Sequence, residues 1–143
     1  MADQSDTLRT VALTRIAHAR LRVANVRGGE ITIGEGTTPE FTPVELLLAG
    51  IAGCTAIDVD YLTSRRAEPE LFEVSASAEK LRDDTGNHLG EITVEFRVRF
   101  PEGEDGDRAR ARLGQAISRS HDRLCTVSRT VERGTPVQSR AVD

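Results

Sequence analysis

The chain has 143 residues and a formal net charge of −4, from 19 basic and 23 acidic side chains. That length suits one domain, residues 1–143, with a real hydrophobic core. The mild acidity and the lack of any basic run exclude a nucleic-acid platform, and with no Trp, one Tyr and four Phe an aromatic stacking surface is excluded too.

In chain order, residues 1–6 are polar and expected to fray and be disordered. The first 25 residues hold no long apolar run and no cleavage-like pattern, so no signal peptide is expected. Val11, Leu13, Leu21 and Val23 with their β-branched neighbours predict strands between Thr7 and Val26, arranged as a hairpin. Arg27-Gly28-Gly29 is a turn signal, Glu30–Ile33 a short strand, and Gly34–Phe41 a loop.

Thr42–Arg66 is the stretch around which the rest is organised. Thr42 suits an N-cap, Pro43 the first helical position and Glu45 the reciprocal carboxylate of a capping box. The run from Leu46 to Val59 is apolar on almost every side and predicts a buried central helix. It ends before Pro69, with Arg65 and Arg66 in its last turns, where cations favour the helix dipole. The apolar run, Val44–Ile57, is too short and too mixed to cross a bilayer. No membrane partner is expected, and the protein is placed in the cytoplasm.

Two strands follow. Phe72, Val74, Ala76 and Ala78 alternate with polar residues, and Ile92, Val94, Phe96, Val98 and Phe100 do so more clearly. Asp83–Gly90 reads as the hairpin loop between them. Pro101 ends the second strand, and Asp107 is positioned to cap a helix whose apolar line is Ala109, Leu113, Ala116, Ile117 and Leu124. Thr126–Glu132 is a short helix or an extended piece, and 134–138 reads as a final edge strand. Strands, a long helix, strands and a helix give an α+β domain. A helix apolar all round needs cover on two flanks, one from a sheet and the other from a second subunit, so a homodimer is expected.

Chemistry rests on two cysteines, Cys54 and Cys125, 71 positions apart. Their spacing fits no zinc site, and a structural disulfide does not suit a reducing compartment. Two buried inert thiols or a redox pair remain. Cys54 falls mid-helix among Gly50, Ala52 and Gly53, small residues that let another backbone approach. Burial there raises a thiol pKa, so reactivity needs a cation from another element, and Arg15, Arg20 and Arg22 lie on the N-terminal strands. Cys125 gains from a helix dipole if a helix starts beside it. His121, four residues earlier, reads as a solvated or capping side chain.

TPVELLLAGIAGC followed by TAIDV, with a distant CTVSRTV, resembles the OsmC/Ohr family of thiol-dependent peroxidases over roughly residues 10–138. The resemblance implies an OsmC-like fold, with antiparallel sheets wrapped around a long central helix, and an intertwined bacterial homodimer with active sites at the subunit interface. It implies that Cys54 attacks an organic hydroperoxide and becomes a sulfenic acid. Cys125 then closes a disulfide that an external dithiol, such as a dihydrolipoyl protein, reduces. No metal, flavin or haem is implied.

Relatives activate the first cysteine with an Arg held by a Glu ten residues before it. Arg20 is the matching arginine, with Arg22 on the same strand face, but Val44 occupies the Glu position. Glu45, nine before Cys54, is turned roughly 180° from it on an ideal helix. Glu45 is thus a candidate site residue or only a helix cap. Beside the peroxidase stand two other readings: an OsmC-like dimer that binds a small molecule or responds to redox state with little turnover, and a structural dimer with inert thiols.

Overall fold

A computed structural model describes residues 7–142; residues 1–6, where fraying is expected, lie outside them. The chain divides into two compact units, with the boundary after Leu47. The N-terminal unit holds a three-stranded antiparallel sheet: β1 (Ala12–Ala17), β2 (Arg20–Ala24) and β3 (Glu30–Ile33), in that order. The expected hairpin is therefore present, with Leu13 opposite Val23, and β3 adds to its β2 edge with Val23 opposite Ile31. Ala19, at φ 53°, makes the β1–β2 turn, and the Asn25 side chain accepts from the Arg27 and Gly29 amides to shape the next one.

Helix α1 spans Pro43–Ser64 and begins in this unit with the expected capping box. The Thr42 amide donates to Glu45 Oε1 at 2.8 Å, and the Glu45 amide donates to Thr42 Oγ1 at 3.2 Å. Arg65 and Arg66 lie just beyond its last residue rather than in its final turns.

Residues 48–142 carry the rest of α1 and six further elements. Strands β4 (Leu71–Ser77) and β7 (Thr93–Arg99) pair antiparallel, with Val74 opposite Phe96. Strand β7 alternates exposed and half-buried side chains along its whole length, as its sequence predicts. Phe72 and Phe96 meet edge-to-face, centroids 6.4 Å apart, a geometry that adds about 0.5–1.5 kcal/mol to the area they bury. The connection between β4 and β7 is more than a loop. It contains its own hairpin, β5 (Lys80–Asp83) and β6 (Gly86–Leu89), with Asp83 accepting from the Thr85 amide and hydroxyl at the turn.

Helix α2 (Glu104–Arg119) starts three residues before the expected cap, so Asp107 sits in its first turn instead. Gly103, at φ 118°, takes the cap position, a backbone state that excludes most side chains. Gly106 is required for another reason: a Cβ there would stand 1.7 Å from the Pro101 carbonyl oxygen. A wide π-type turn, Ser120–Leu124, follows, closed by the Cys125 amide on the Ser120 carbonyl at 2.8 Å. It interrupts the helix before Leu124, which is 41 % exposed rather than part of α2's apolar line. Helix α3 is Thr126–Glu132, and residues 134–138 form no strand, contrary to the sequence expectation.

The second half of α1 buries a single stripe: Ile51, Ala52, Thr55, Val59 and Thr63. Burying a side chain such as Ile51 or Val59 stabilises by about 1.5–3 kcal/mol. The opposite side is open, with Ile57 61 % and Tyr61 68 % exposed. The helix is thus only partly buried within one chain. Its 22 residues and a window of mean hydropathy 1.4 also satisfy the length and composition needed to cross a membrane, a test that core helices pass as well. The apolar run alone had not predicted that.

Candidate functional site: a dithiol centre between two helices

The two cysteines, distant in sequence, meet through the start of α3. In any helix the first amides have no intrahelical carbonyl to bond. Here two of them serve sulfur. The Val127 amide reaches Cys54 on α1, and the Ser128 amide donates to Cys125 Sγ at 3.4 Å. Cys125 is itself the N-cap of α3, its sulfur filling the place usually taken by a Ser, Thr or Asp oxygen. The small residues before Cys54 admit α3 as their sequence suggests: Val127 Cγ1 lies 3.7 Å from where a Cβ on Gly50 would be.

Cys125 is fully buried and Cys54 half-buried, and the two thiols are near enough for each to shift the other's pKa. Their surroundings differ in sign. Burial pushes the Cys54 thiol up, and although the Val127 amide opposes it, the neighbouring Cys125 and the Asp58 carboxylate push it further up. Asp58 lies one helical turn beyond Cys54 and accepts from the buried Ser120 hydroxyl at 2.8 Å.

Burial pushes Cys125 up as well, but its hydrogen bonds more than reverse the effect. The Ser128 hydroxyl at 3.2 Å, the Thr55 hydroxyl at 3.4 Å, the Ser128 amide and the Cys54 thiol together hold Cys125 below its ordinary value. Of the two, Cys125 is the thiol whose surroundings favour the thiolate and Cys54 the one whose surroundings oppose it. Burial is the largest cause of the rise at Cys54, and at Cys125 hydrogen bonds lower the pKa where the sequence pointed to a helix dipole.

An apolar cavity of about 600 Å³ reaches this centre at Thr55 and Ser128. Ile51, Val94, Phe96, Ile117 and Val131 form its walls, and Glu91, His121 and Glu132 supply its polar edge. His121 does not approach a cysteine as a hydrogen-bond partner. Its Nδ1 lies 2.9 Å from Asp122 and its Nε2 2.7 Å from Glu132.

The N-terminal unit places the remaining candidates. Arg20 pairs with Glu40, not Glu45. The Thr38 hydroxyl, the Glu40 amide and the Arg20 guanidinium hold the Glu40 carboxyl down to about 2, so it is an anion at any working pH. Arg20 Nε is buried and has no acceptor among the described residues, which leaves one donor unspent. Glu45 is occupied as the capping-box partner of Thr42.

Four contributors to the dithiol centre escaped the sequence reading, Thr55, Asp58, Ser120 and Ser128, as did Glu40, the partner of Arg20 in the N-terminal unit. Asp58 could have been found from its i+4 spacing to Cys54, and Ser128 from its place three residues after a capping Cys125. Glu40, in an irregular loop, carries no such signal.

A small α+β domain with a long helix and a paired dithiol is thus the class of protein these elements define. A family model described as OsmC-like protein matches residues 34–140, and the chain belongs to the OsmC-like family. An uncharacterized protein of Mycobacterium tuberculosis is 32 % identical over 123 residues, covering 83 % of this chain and 85 % of that one. An OsmC-like protein of unknown function from Vibrio cholerae shares the fold with a TM-score of 0.72 at 12 % identity, over 88 % of this chain and 94 % of the other. An organic hydroperoxide resistance protein from Elizabethkingia anophelis does so with a TM-score of 0.58 at 19 % identity, over 90 % and 91 %.

Proposed function

We propose that the chain is a cytoplasmic thiol-dependent peroxidase that reduces organic hydroperoxides through Cys54 and Cys125. The observation that carries this reading is the neighbouring pair of thiols, brought together from positions 71 apart beside an apolar cavity. In the first step Cys125, having released its own proton to water, takes the proton of the neighbouring Cys54, and the released proton later neutralises the hydroxide left when the alkoxide is protonated. The Cys54 thiolate attacks the distal peroxide oxygen, the O–O bond breaks, and the alkoxide takes a proton from water. Cys125 then attacks the Cys54 sulfenic acid, the S–S bond forms, and hydroxide leaves with the Cys125 proton as water. An external dithiol, of dihydrolipoyl type, restores both thiols by exchange. The sum is two thiols and one hydroperoxide giving one disulfide, one alcohol and water.

Arg20 is the proposed cation for Cys54, with Glu40 in the holding role that the resemblance assigns to a glutamate. Its unspent Nε–H supports that reading. The open apolar side of α1, Ile57 and Tyr61 above all, supports a homodimer. The apolar cavity favours an organic over an inorganic peroxide. The test is consumption of cumene hydroperoxide with a dithiol as reductant. Turnover should be lost in Cys54→Ser and reduced at least tenfold in Arg20→Gln. A Cys54→Ser protein that still consumed hydroperoxide at the wild-type rate would exclude the peroxidase.

A second reading has its own support. Because Asp58 and burial hold Cys54 above its ordinary pKa, the pair could oxidise slowly and serve a redox-responsive binding dimer. Negligible turnover with retained, slow disulfide formation would favour it.

A further inference from the structure

We propose that the outer face of α3 is a binding site for a phosphate-class oxyanion, separate from the dithiol centre. A cleft of about 420 Å³ opens there, lined by Arg123, Arg129 and Arg133 with Thr126, Thr130 and Thr135, and no acidic residue lines it. None of the three guanidiniums has a hydrogen bond or ion pair among the described residues. Four arginines of the same unit, Arg97, Arg99, Arg108 and Arg110, are each set against an acid, whereas others, such as Arg112 and Arg119, are likewise without one among the described residues but do not converge on this cleft.

The missing partners have a structural cause. Sequence places two carboxylates next to these arginines: Asp122 precedes Arg123, and Glu132 lies three after Arg129 and one before Arg133. Both are taken by His121, one on each ring nitrogen, at 2.9 and 2.7 Å. Two carboxylates on two ring nitrogens favour a hydrogen on each, and they raise the pKa of the ring. Helix α3 thereby sorts its charges. Ser128, Val131 and Glu132 face the apolar cavity with His121 and Glu91, while Thr126, Arg129, Thr130 and Arg133 face the cleft.

What remains is a concave surface of three positive charges in a chain of net charge −4. Guanidinium forks match phosphate oxygens in pairs, and three of them exceed what one carboxylate can use. The Thr130 and Thr135 hydroxyls donate to backbone carbonyls, which leaves the Thr126 hydroxyl for the ligand. The cleft falls in the size range of small-molecule sites, so a phosphate ester fits it better than the bare ion.

The test is calorimetric titration of the full chain, at fixed ionic strength and pH 7, with inorganic phosphate, glycerol 3-phosphate and acetate. Saturable binding of glycerol 3-phosphate, at least tenfold weaker in the Arg129→Gln/Arg133→Gln double variant, is expected, with acetate not binding. His121→Ala, which frees Asp122 and Glu132 to pair with the arginines, should weaken it severalfold while leaving all three arginines in place. Equal affinity for inorganic phosphate would assign recognition to the phosphate group alone, and tighter binding of the ester to an ester site. Absence of binding, undiminished binding in the double variant, or acetate bound as tightly as phosphate would overturn the proposal. Neither cysteine takes part, so the outcome is independent of peroxidase activity.

Discussion

Burial pushes both Cys54 and Cys125 up, and yet the two thiols end shifted in opposite directions. The difference lies in where each stands on its helix. Around Cys54, in the middle of α1, local amides are spent on carbonyls one turn back, so its one helpful N–H comes from Val127 on another helix. Cys125 stands at the start of α3, where amides are free, and the Thr55 hydroxyl donates to it as well, while the Ser128 hydroxyl lies 3.2 Å from its sulfur. A carboxylate, Asp58, adds to the burden on Cys54 alone. Burial acts on both thiols in the same direction; the difference comes from the hydrogen bonds and the carboxylate around them.

This contrast can be broken most completely by removing a sulfur. Cys54→Ser should abolish disulfide formation and hydroperoxide turnover, whereas Cys125→Ser should leave a Cys54 sulfenic acid that dimedone traps and mass spectrometry detects. A smaller effect follows from stripping the donors of Cys125. In a Cys54→Ser background, Thr55→Val and Ser128→Ala should each raise the Cys125 pKa by about one unit, since a hydrogen bond to a charged group contributes about 1.5 kcal/mol or more. Thiolate absorbance at 240 nm against pH reads this directly. No change in either variant would mean that the hydroxyls do not hold the charge.

Asp58→Asn should move Cys54 the other way. Removing the carboxylate charge while keeping an acceptor for Ser120 should lower the Cys54 pKa by about half a unit, given partial screening at a half-buried site. The measure is its alkylation rate by iodoacetamide in a Cys125→Ser background. A rate unchanged at every pH would remove Asp58 from the account.

The smallest effect belongs to His121, next to the centre in sequence but not part of it. Its pKa is raised first by Asp122, then by Glu132. A raised folded pKa means that the stabilisation is full below the unfolded value of about 6.5 and is lost as pH rises through the folded value. His121→Gln should therefore destabilise at pH 6 by less than about 1 kcal/mol, because the ring is half exposed, and hardly at all at pH 9. Urea unfolding at the two pH values checks it, and a larger loss at pH 9 would contradict the assignment.

What the sequence disclosed follows physical range. The capping box and β7 are written in neighbouring residues at fixed spacing, and both are found where the pattern puts them. The β5–β6 hairpin was hidden because Lys80–Asp83 is exposed throughout and has no apolar alternation to signal a strand. The expected strand at 134–138 failed for the complementary reason: Val137, 89 % exposed, has nothing to bury against. Both cysteines, and Arg20 in the N-terminal unit, could be singled out by residue type. Glu40 could not, since its pairing with Arg20 depends on the path of an irregular loop, and the Thr55–Cys125 contact joins residues 70 positions apart.

The dithiol reading is tested most directly by treating the reduced protein with one equivalent of cumene hydroperoxide, then measuring intact mass and free thiols. The account predicts loss of both thiols and of two hydrogens in mass, with a Cys54–Cys125 peptide recovered after digestion. Both thiols surviving prolonged exposure, or an oxygen added to Cys54 without a disulfide, would contradict it.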